Sequence, residues 1–302
     1  MSSGFNINNL EPVTLSRLMQ QPISQRFTLS ALLRLTRFWN LVIIGLAQYC
    51  TAGFLIGAST LLDVRLLLAS ISTVLIAAAG YIINDYYDVK IDLINKPERV
   101  VIGKSIARRY AILFHTSLSL GGVAIGFLLS WKMGAVNFLS AFFLWLYSNN
   151  LKRQPFIGNF VVAILTGLAI LIVNILYEVN NSFVIIYALF ALFMTLVREM
   201  IKDMEDLKGD NTFGCKTLPV IWGIRRAKYL VYVVLIIFAS SVFYINYVYV
   251  GLPMYYFIIF LFLPLIWLLI RLDRADTVKD FYKLSQLCKT IMLLGISSMV
   301  FI

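Results

Sequence analysis

Long apolar stretches alternate with short polar ones along almost the whole chain. A 30 Å hydrocarbon core needs about 20 apolar residues of helix. Runs near that length recur at about 38–59, 66–85, 109–130, 134–148, 158–177, 183–202, 229–249, 252–271 and 285–302, the fourth being short. They predict an all-α integral membrane protein, a bundle of nine transmembrane helices, because only internally hydrogen-bonded backbone survives in lipid. Residues 1–37 differ: they are polar and mixed, without the pattern of a cleaved leader. Within them Thr14 to Arg26 reads either as an amphipathic helix on the membrane surface or as a partly ordered tail. The chain therefore divides into an N-terminal segment, 1–30, and one membrane domain, 31–302, with no soluble domain.

Charge gives this bundle a direction. The net charge is +11, which by itself would suit nucleic acid. Its distribution argues for a membrane surface instead. With the N-terminus in the cytoplasm and nine alternating spans, 24 of the 26 Lys and Arg residues fall on the cytoplasmic side, and only Arg65 and Lys132 fall outside. That asymmetry predicts N-terminus in, C-terminus out, in the cell (inner) membrane. The basic surplus faces anionic lipid headgroups and an anionic substrate. Extracytoplasmic connections are minimal, Tyr177 to Ser182 and Gly251 to Pro253, whereas the cytoplasmic ones, 86–108 and 203–228, are long. Long connections on one face are where function concentrates. Cys50, Cys215 and Cys288 show no metal or disulfide spacing, and His115 stands alone in the third span as a packing residue.

Against this background the acidic residues stand out. Of fifteen Asp and Glu, eight lie in or beside two clusters of identical spacing, Asn84-Asp85-x-x-Asp88-x-x-x-Asp92 and Asp203-x-x-Asp206-x-x-x-Asp210. On a helix that spacing holds three carboxylates within an arc of about 60°. Each cluster begins at the cytoplasmic end of an even-numbered span and runs into a basic loop, which suggests duplication of a four-span unit. A carboxylate at mid-bilayer costs about 2.5–3.5 kcal/mol, so these six require a polar cavity with cations, protons or metal. An ion-paired helix end would account for one such triplet. Lys90, Lys96, Arg99, Arg198, Lys202 and Lys208 are near in sequence but too dispersed to pair every aspartate. Mg²⁺ suits hard oxygen ligands shared with phosphate. Asp85, Asp88, Asp92, Asp203, Asp206 and Asp210 are thus candidate metal ligands in a cytoplasmic-side active-site cavity. Nearby Lys and Arg would neutralise a bridging diphosphate and make it a good leaving group. The apolar bundle would hold a hydrocarbon chain, a combination that fits an isoprenyl diphosphate.

These residues resemble the UbiA superfamily of membrane prenyltransferases, whose paired motifs read N-D-x-x-D-x-x-x-D and D-x-x-D-x-x-x-D. Arg37-Phe-Trp-Asn40 is similar to the family's R-P-x-N, with Phe38 in place of proline. Tyr147-Ser-Asn-Asn-Leu-Lys152-Arg153 with Gly158-Asn159, and Arg198-Glu-Met-Ile-Lys202-Asp203-Met-Glu-Asp206 with Thr217-Leu-Pro219, look most like the branch containing digeranylgeranylglyceryl phosphate synthase. After the first motif many members read N-K-P-x-R-P-x-x-x-G, whereas this chain has valine at position 100. The resemblance implies a Mg²⁺-dependent transferase acting on a prenyl diphosphate and a lipophilic acceptor. Asp85, Asp88, Asp203 and Asp206 would be catalytic. Tyr147 would stabilise positive charge on the allylic carbon with its ring face. Arg37, Asn40, Asn84, Lys152, Arg153, Arg198 and Lys202 would bind substrate, Lys152 through a phosphate oxygen. The implied donor is geranylgeranyl diphosphate and the implied acceptor geranylgeranylglyceryl phosphate, with aromatic quinone precursors and chlorophyllide-type acceptors as alternatives. A cation transporter is the non-enzyme alternative, although its acids would be expected near the midplane. A CDP-alcohol phosphotransferase would need a G-x-x-A-R element that neither cluster has.

Overall fold

The protein is described from a computed structural model covering residues 28–250, 255 and 258–302. The expected surface helix, Thr14 to Arg26, and the Gly251–Pro253 connection lie outside these residues. Among the described residues the structure is helical, with a single isolated bridge between Ile102 and Ile106.

Helix α1 (Leu29–Leu35) starts at Thr28, whose hydroxyl accepts from the Ala31 N–H at 3.3 Å, a local N-cap. The chain turns through Arg37 in the left-handed region (φ 52°) into α2 (Phe38–Cys50), which widens through Thr51–Ile56 and stops at Gly57. Asp63 then caps α3 (Val64–Asn95), 32 residues long. At 1.5 Å per residue it measures about 48 Å, well beyond a 30 Å hydrocarbon core. Its last turns carry Asp85, Asp88 and Asp92. The helix continues ten residues past the expected end of the second span, and the connection shrinks to residues 96–107.

Next come α4 (Arg108–Leu129), α5 (Trp131–Asn149), α6 (Ile157–Tyr177) and α7 (Ser182–Glu205). A break at Asp206 separates α7 from the short α8 (Leu207–Thr212). The chain continues as α9 (Leu218–Ile245), kinked at Gly223 (φ 80°), α10 (Leu263–Asp273) and α11 (Val278–Ser298). Seven segments are long and apolar enough to cross a membrane: Phe38–Ile56, α3, α4, α6, α7, Leu218–Val248 and Val278–Phe301. The expected fourth and eighth spans correspond to α5 and α10, which are helical but not among these seven.

Each acidic helix is the hub of its half. Helix α3 packs against α2, α4 and α5, and α7 packs against α6, α9 and α11. Polar side chains join helices where lipid would leave them unpaired. Asn137 on α5 donates to Ser72 Oγ at 3.0 Å and to the Gly122 carbonyl at 3.1 Å. Gln48 on α2 donates to Thr73 Oγ1 and to the Ala169 carbonyl. His115 meets the Ala79 carbonyl through Nδ1 at 3.1 Å. The three cysteines are free, Cys215 and Cys288 being buried.

Candidate active site

The C-terminal turns of α3 and the α7–α8 junction are tied together by two consecutive residues. Lys96 Nζ lies 2.8 Å from Glu205 Oε1 and 2.7 Å from Asp206 Oδ1. Asn95 Nδ2 donates to the Asp206 carbonyl at 3.1 Å, and its Oδ1 accepts from the Gly209 N–H at 2.9 Å. Gly209 is in the first turn of α8, where backbone N–H groups have no intrahelical partner. Asn95 therefore caps a helix distant in sequence. A Cβ on Gly209 would sit 2.4 Å from the Asn95 amide nitrogen, so the close approach requires glycine.

The remaining aspartates have their own partners. Arg37, from the α1–α2 junction, donates to Asp85 Oδ1 at 2.9 Å. Lys152, on the turn after α5, sits 2.6 Å from Asp88 Oδ1 and also donates to Asn84 Oδ1 and the Asn84 carbonyl. Burial pulls the Lys152 ammonium below the usual lysine range, with Asp88 opposing that shift. Asn159 donates to Asp203 Oδ2 at 2.8 Å. The preceding Gly158 lets α6 start directly against the Leu151–Lys152 backbone, which a Cβ there would approach to 2.8 Å. Thr217 donates to Asp210 Oδ2. Burial raises the Asp210 carboxyl to about 6, and the Asp206 charge adds to the shift. The Asp92 carboxylate makes no hydrogen bond or ion pair among the described residues and lies within electrostatic reach of Asp88 and Asp85 and of Lys202 and Arg37.

One expectation changes. The first cluster does occupy one continuous helix, but the second does not. Asp203 is on α7, Asp206 at the break and Asp210 on α8, because Lys96 and Asn95 hold the chain in a new direction there. The cations do not pair every aspartate, as expected: Arg37, Lys152 and Lys96 pair with Asp85, Asp88 and Asp206 across 48 or more residues, and Asp92, Asp203 and Asp210 have no ion pair among the described residues. Of the other expected residues, Tyr147 lies within electrostatic reach of Glu199, Asp203 and Asp88. Arg198 and Lys202 gather on Glu199, and Asn40 accepts from Lys289. Arg153 is exposed, and only its backbone carbonyl is engaged, by the Lys216 N–H at 2.8 Å. Asn95, Glu205, Asn159 and Lys289 were not among the expected site residues. The signal for Lys289 was a lone cation inside the last apolar run.

The donor chemistry fits a hard divalent cation: six carboxylates, one without a bonded partner and one disposed to hold a proton at neutral-to-acid pH. Among the described residues no three acidic, His or Cys side chains converge on one point. Ammonium and guanidinium groups occupy three of the six carboxylates, Asp85, Asp88 and Asp206, so a metal there would have to replace or share those partners.

Residues 46–289 match the UbiA prenyltransferase family. The chain belongs to that family. Among UbiA relatives, digeranylgeranylglyceryl phosphate synthase of Saccharolobus solfataricus is 33% identical over 276 residues, 89% of this chain and 95% of that one. The protein of the same name from Sulfurisphaera tokodaii is 34% identical over 253 residues, 82% and 89% of the two chains. A structure described as digeranylgeranylglyceryl phosphate synthase in membranes superposes with a TM-score of 0.69 at 26% identity, covering 90% of this chain and 97% of that one. A UbiA homologue from Archaeoglobus fulgidus bound to DMAPP and Mg²⁺ superposes at 0.61 with 17% identity, over 90% and 99%, a likeness of fold.

Proposed function

We propose that the protein transfers a geranylgeranyl group from its diphosphate to geranylgeranylglyceryl phosphate, releasing diphosphate, with Mg²⁺ as cofactor. The observation that carries this reading is the meeting of two acidic helix ends, one from each half, with Lys152 and Lys96 among their carboxylates. The names of the full-length relatives support the choice of acceptor. The bundle in this reading crosses the cell membrane nine times, N-terminus inside, with a cavity at the aspartates open to the cytoplasm.

Asp85, Asp88, Asp92, Asp203, Asp206 and Asp210 would hold the metal, which when bound neutralises diphosphate charge. Lys152, released from Asp88, would bind a phosphate oxygen, with Asn84 orienting its ammonium. Arg37, in the same way, would exchange Asp85 for substrate oxygen. Arg153 would act only at the rim, given its exposure. The C1–O bond breaks with its electron pair going to diphosphate, and the Tyr147 ring faces the allylic cation. The acceptor hydroxyl oxygen bonds to C1 and loses its proton to the departing diphosphate.

The test offers purified protein radiolabelled geranylgeranyl diphosphate with a panel of glyceryl phosphate and aromatic acceptors. Label in an ether lipid phosphate is expected, and its absence from the Asp85→Ala, Asp88→Ala, Asp203→Ala and Asp206→Ala proteins. Normal Mg²⁺-dependent turnover in those folded variants would sink the metal assignment. A labelled aromatic product in place of the phosphate one would overturn the acceptor.

A further inference from the structure

A second charged cluster adjoins the aspartates, and its balance is the opposite. Arg198 and Lys202 on α7, Lys289 on α11 and Arg37 at the α1–α2 junction all lie within electrostatic reach of Glu199. Lys289 is also within reach of the other three cations. Around Lys289 three cations, Arg198, Arg37 and Lys202, face one carboxylate, Glu199, while Arg37 is also held by Asp85 and Lys202 also lies within reach of Asp206. Glu199 is shared between Arg198 and, at 3.7 Å, Lys202. Lys289 has no carboxylate within bonding distance among the described residues; it donates at 3.4 Å to the neutral Asn40 Oδ1. The Arg198 Nε is buried and has no hydrogen-bond partner among the described residues. A buried donor left unpaired costs about 1–3 kcal/mol, and a surplus of cations at the end of membrane helices costs more unless an anion balances it.

From the unpaired donor and the charge surplus we infer that Arg198, Lys202 and Lys289, with Asn40, seat a metal-free phosphate monoester: the phosphate of the glyceryl phosphate acceptor. This rests on the function proposed above. The two anions are sorted by the sign of what surrounds them. A diphosphate brings divalent cations and suits the side rich in carboxylates, whereas a monoester arrives without metal and needs the side rich in cations. A monoester carries about −1.5 to −2 at neutral pH and so offsets the excess of cations around Lys289. A carboxylate-bearing aromatic acceptor brings only about one negative charge and offsets less of it. The Arg198 fork and the two ammonium groups supply charge-assisted donors for its oxygens. Lys289 decides specificity, since it approaches from a different helix than the motif residues and holds no carboxylate in place of substrate.

The experiment uses the full-length protein in detergent. In EDTA, glycerol 1-phosphate should raise the thermal midpoint of the wild type, and glycerol should not. Lys289→Met should abolish that shift. It should also raise KM for the phosphate acceptor by about 10- to 100-fold, the loss of one charge-assisted bond, and leave KM for the donor within about twofold. Lys289→Arg should keep most of the acceptor affinity and serves, with Asn40→Ala, should the methionine protein not fold. A donor KM that rises as much as the acceptor KM would overturn the proposal, as would EDTA-resistant phosphate binding that Lys289→Met leaves intact. If phosphate binding behaves as expected but no prenyl group reaches a phosphate acceptor, the seat stands and the proposed function fails.

Discussion

The contact between Asn95 and Gly209 can be tested by a double-mutant cycle. Asn95→Ala removes two hydrogen bonds, one to the Asp206 carbonyl and one from the buried Gly209 N–H. One ordinary bond is worth about 1 kcal/mol, and stranding a buried N–H costs about 1–3, so the variant should lose about 2–4 kcal/mol. Gly209→Ala should do nearly the same by another route. The three atoms nearest the new Cβ all belong to the Asn95 amide, at 2.4 to 2.6 Å. The amide must leave, and both bonds go with it, offset by about 1 kcal/mol of helix propensity. In the Asn95→Ala background those atoms are gone, and Gly209→Ala should be neutral or slightly stabilising. The cycle should therefore show a coupling of about 2–3 kcal/mol, measured by denaturant unfolding in mixed micelles followed by circular dichroism. Additivity within about 0.5 kcal/mol would refute the reasoning, because it would mean that the two residues do not share a contact.

Lys152→Met should lower the thermal midpoint of metal-free protein by leaving Asp88 without its cation, and added Mg²⁺ should restore more of it than in the wild type; equal Mg²⁺ responses would count against Asp88 as a ligand. Asp210, pushed up to about 6 by burial first, binds its proton more tightly when folded than when unfolded. In EDTA its contribution to stability is complete below the ordinary carboxylate range, near about 4, and is lost as pH rises through about 6. Asp210→Asn should flatten that part of the stability profile, and an unchanged slope would assign it to another group. Gly295→Ala should cost about 1–3 kcal/mol by overpacking, since the new Cβ would meet the Phe190 ring at 2.3 Å, and Phe190→Leu should recover part of it in thermal unfolding.

The helical character, seven of the nine hydrophobic spans and the two acidic clusters were legible in the sequence, because each is a local pattern with a period or a length. The Tyr177–Ser182 connection was legible for the same reason. The extent of α3 was not. Hydropathy falls at Asp85, yet the backbone stays helical to Asn95, since charged residues break a membrane window without breaking a helix. The fourth span was short in hydropathy because Lys132 and Asn137 interrupt it, and Asn137 is there to bond Ser72 and Gly122. The pairing of carboxylates was the least legible feature. Arg37–Asp85, Lys152–Asp88 and Lys96–Asp206 join residues 48 to 110 positions apart, and only the packing of whole helices decides such partners. The break at Asp206 belongs to the same class, since its cause, Asn95 and Lys96, lies in the other half of the chain.

The Asn95–Lys96 pair also makes the two halves complementary rather than interchangeable. Residues up to Tyr177 supply an amide and an ammonium; residues from Ser182 onward supply the Glu205 and Asp206 carboxylates and the bare Gly209 backbone that receive them. Two copies of the first half would present ammonium to ammonium, and two copies of the second carboxylate to carboxylate. A chain cut in the Val179–Asn181 linker should therefore yield fragments that find each other when made together and ignore their own kind. The polar clasp thus encodes partner identity, which greasy helix faces alone do not specify.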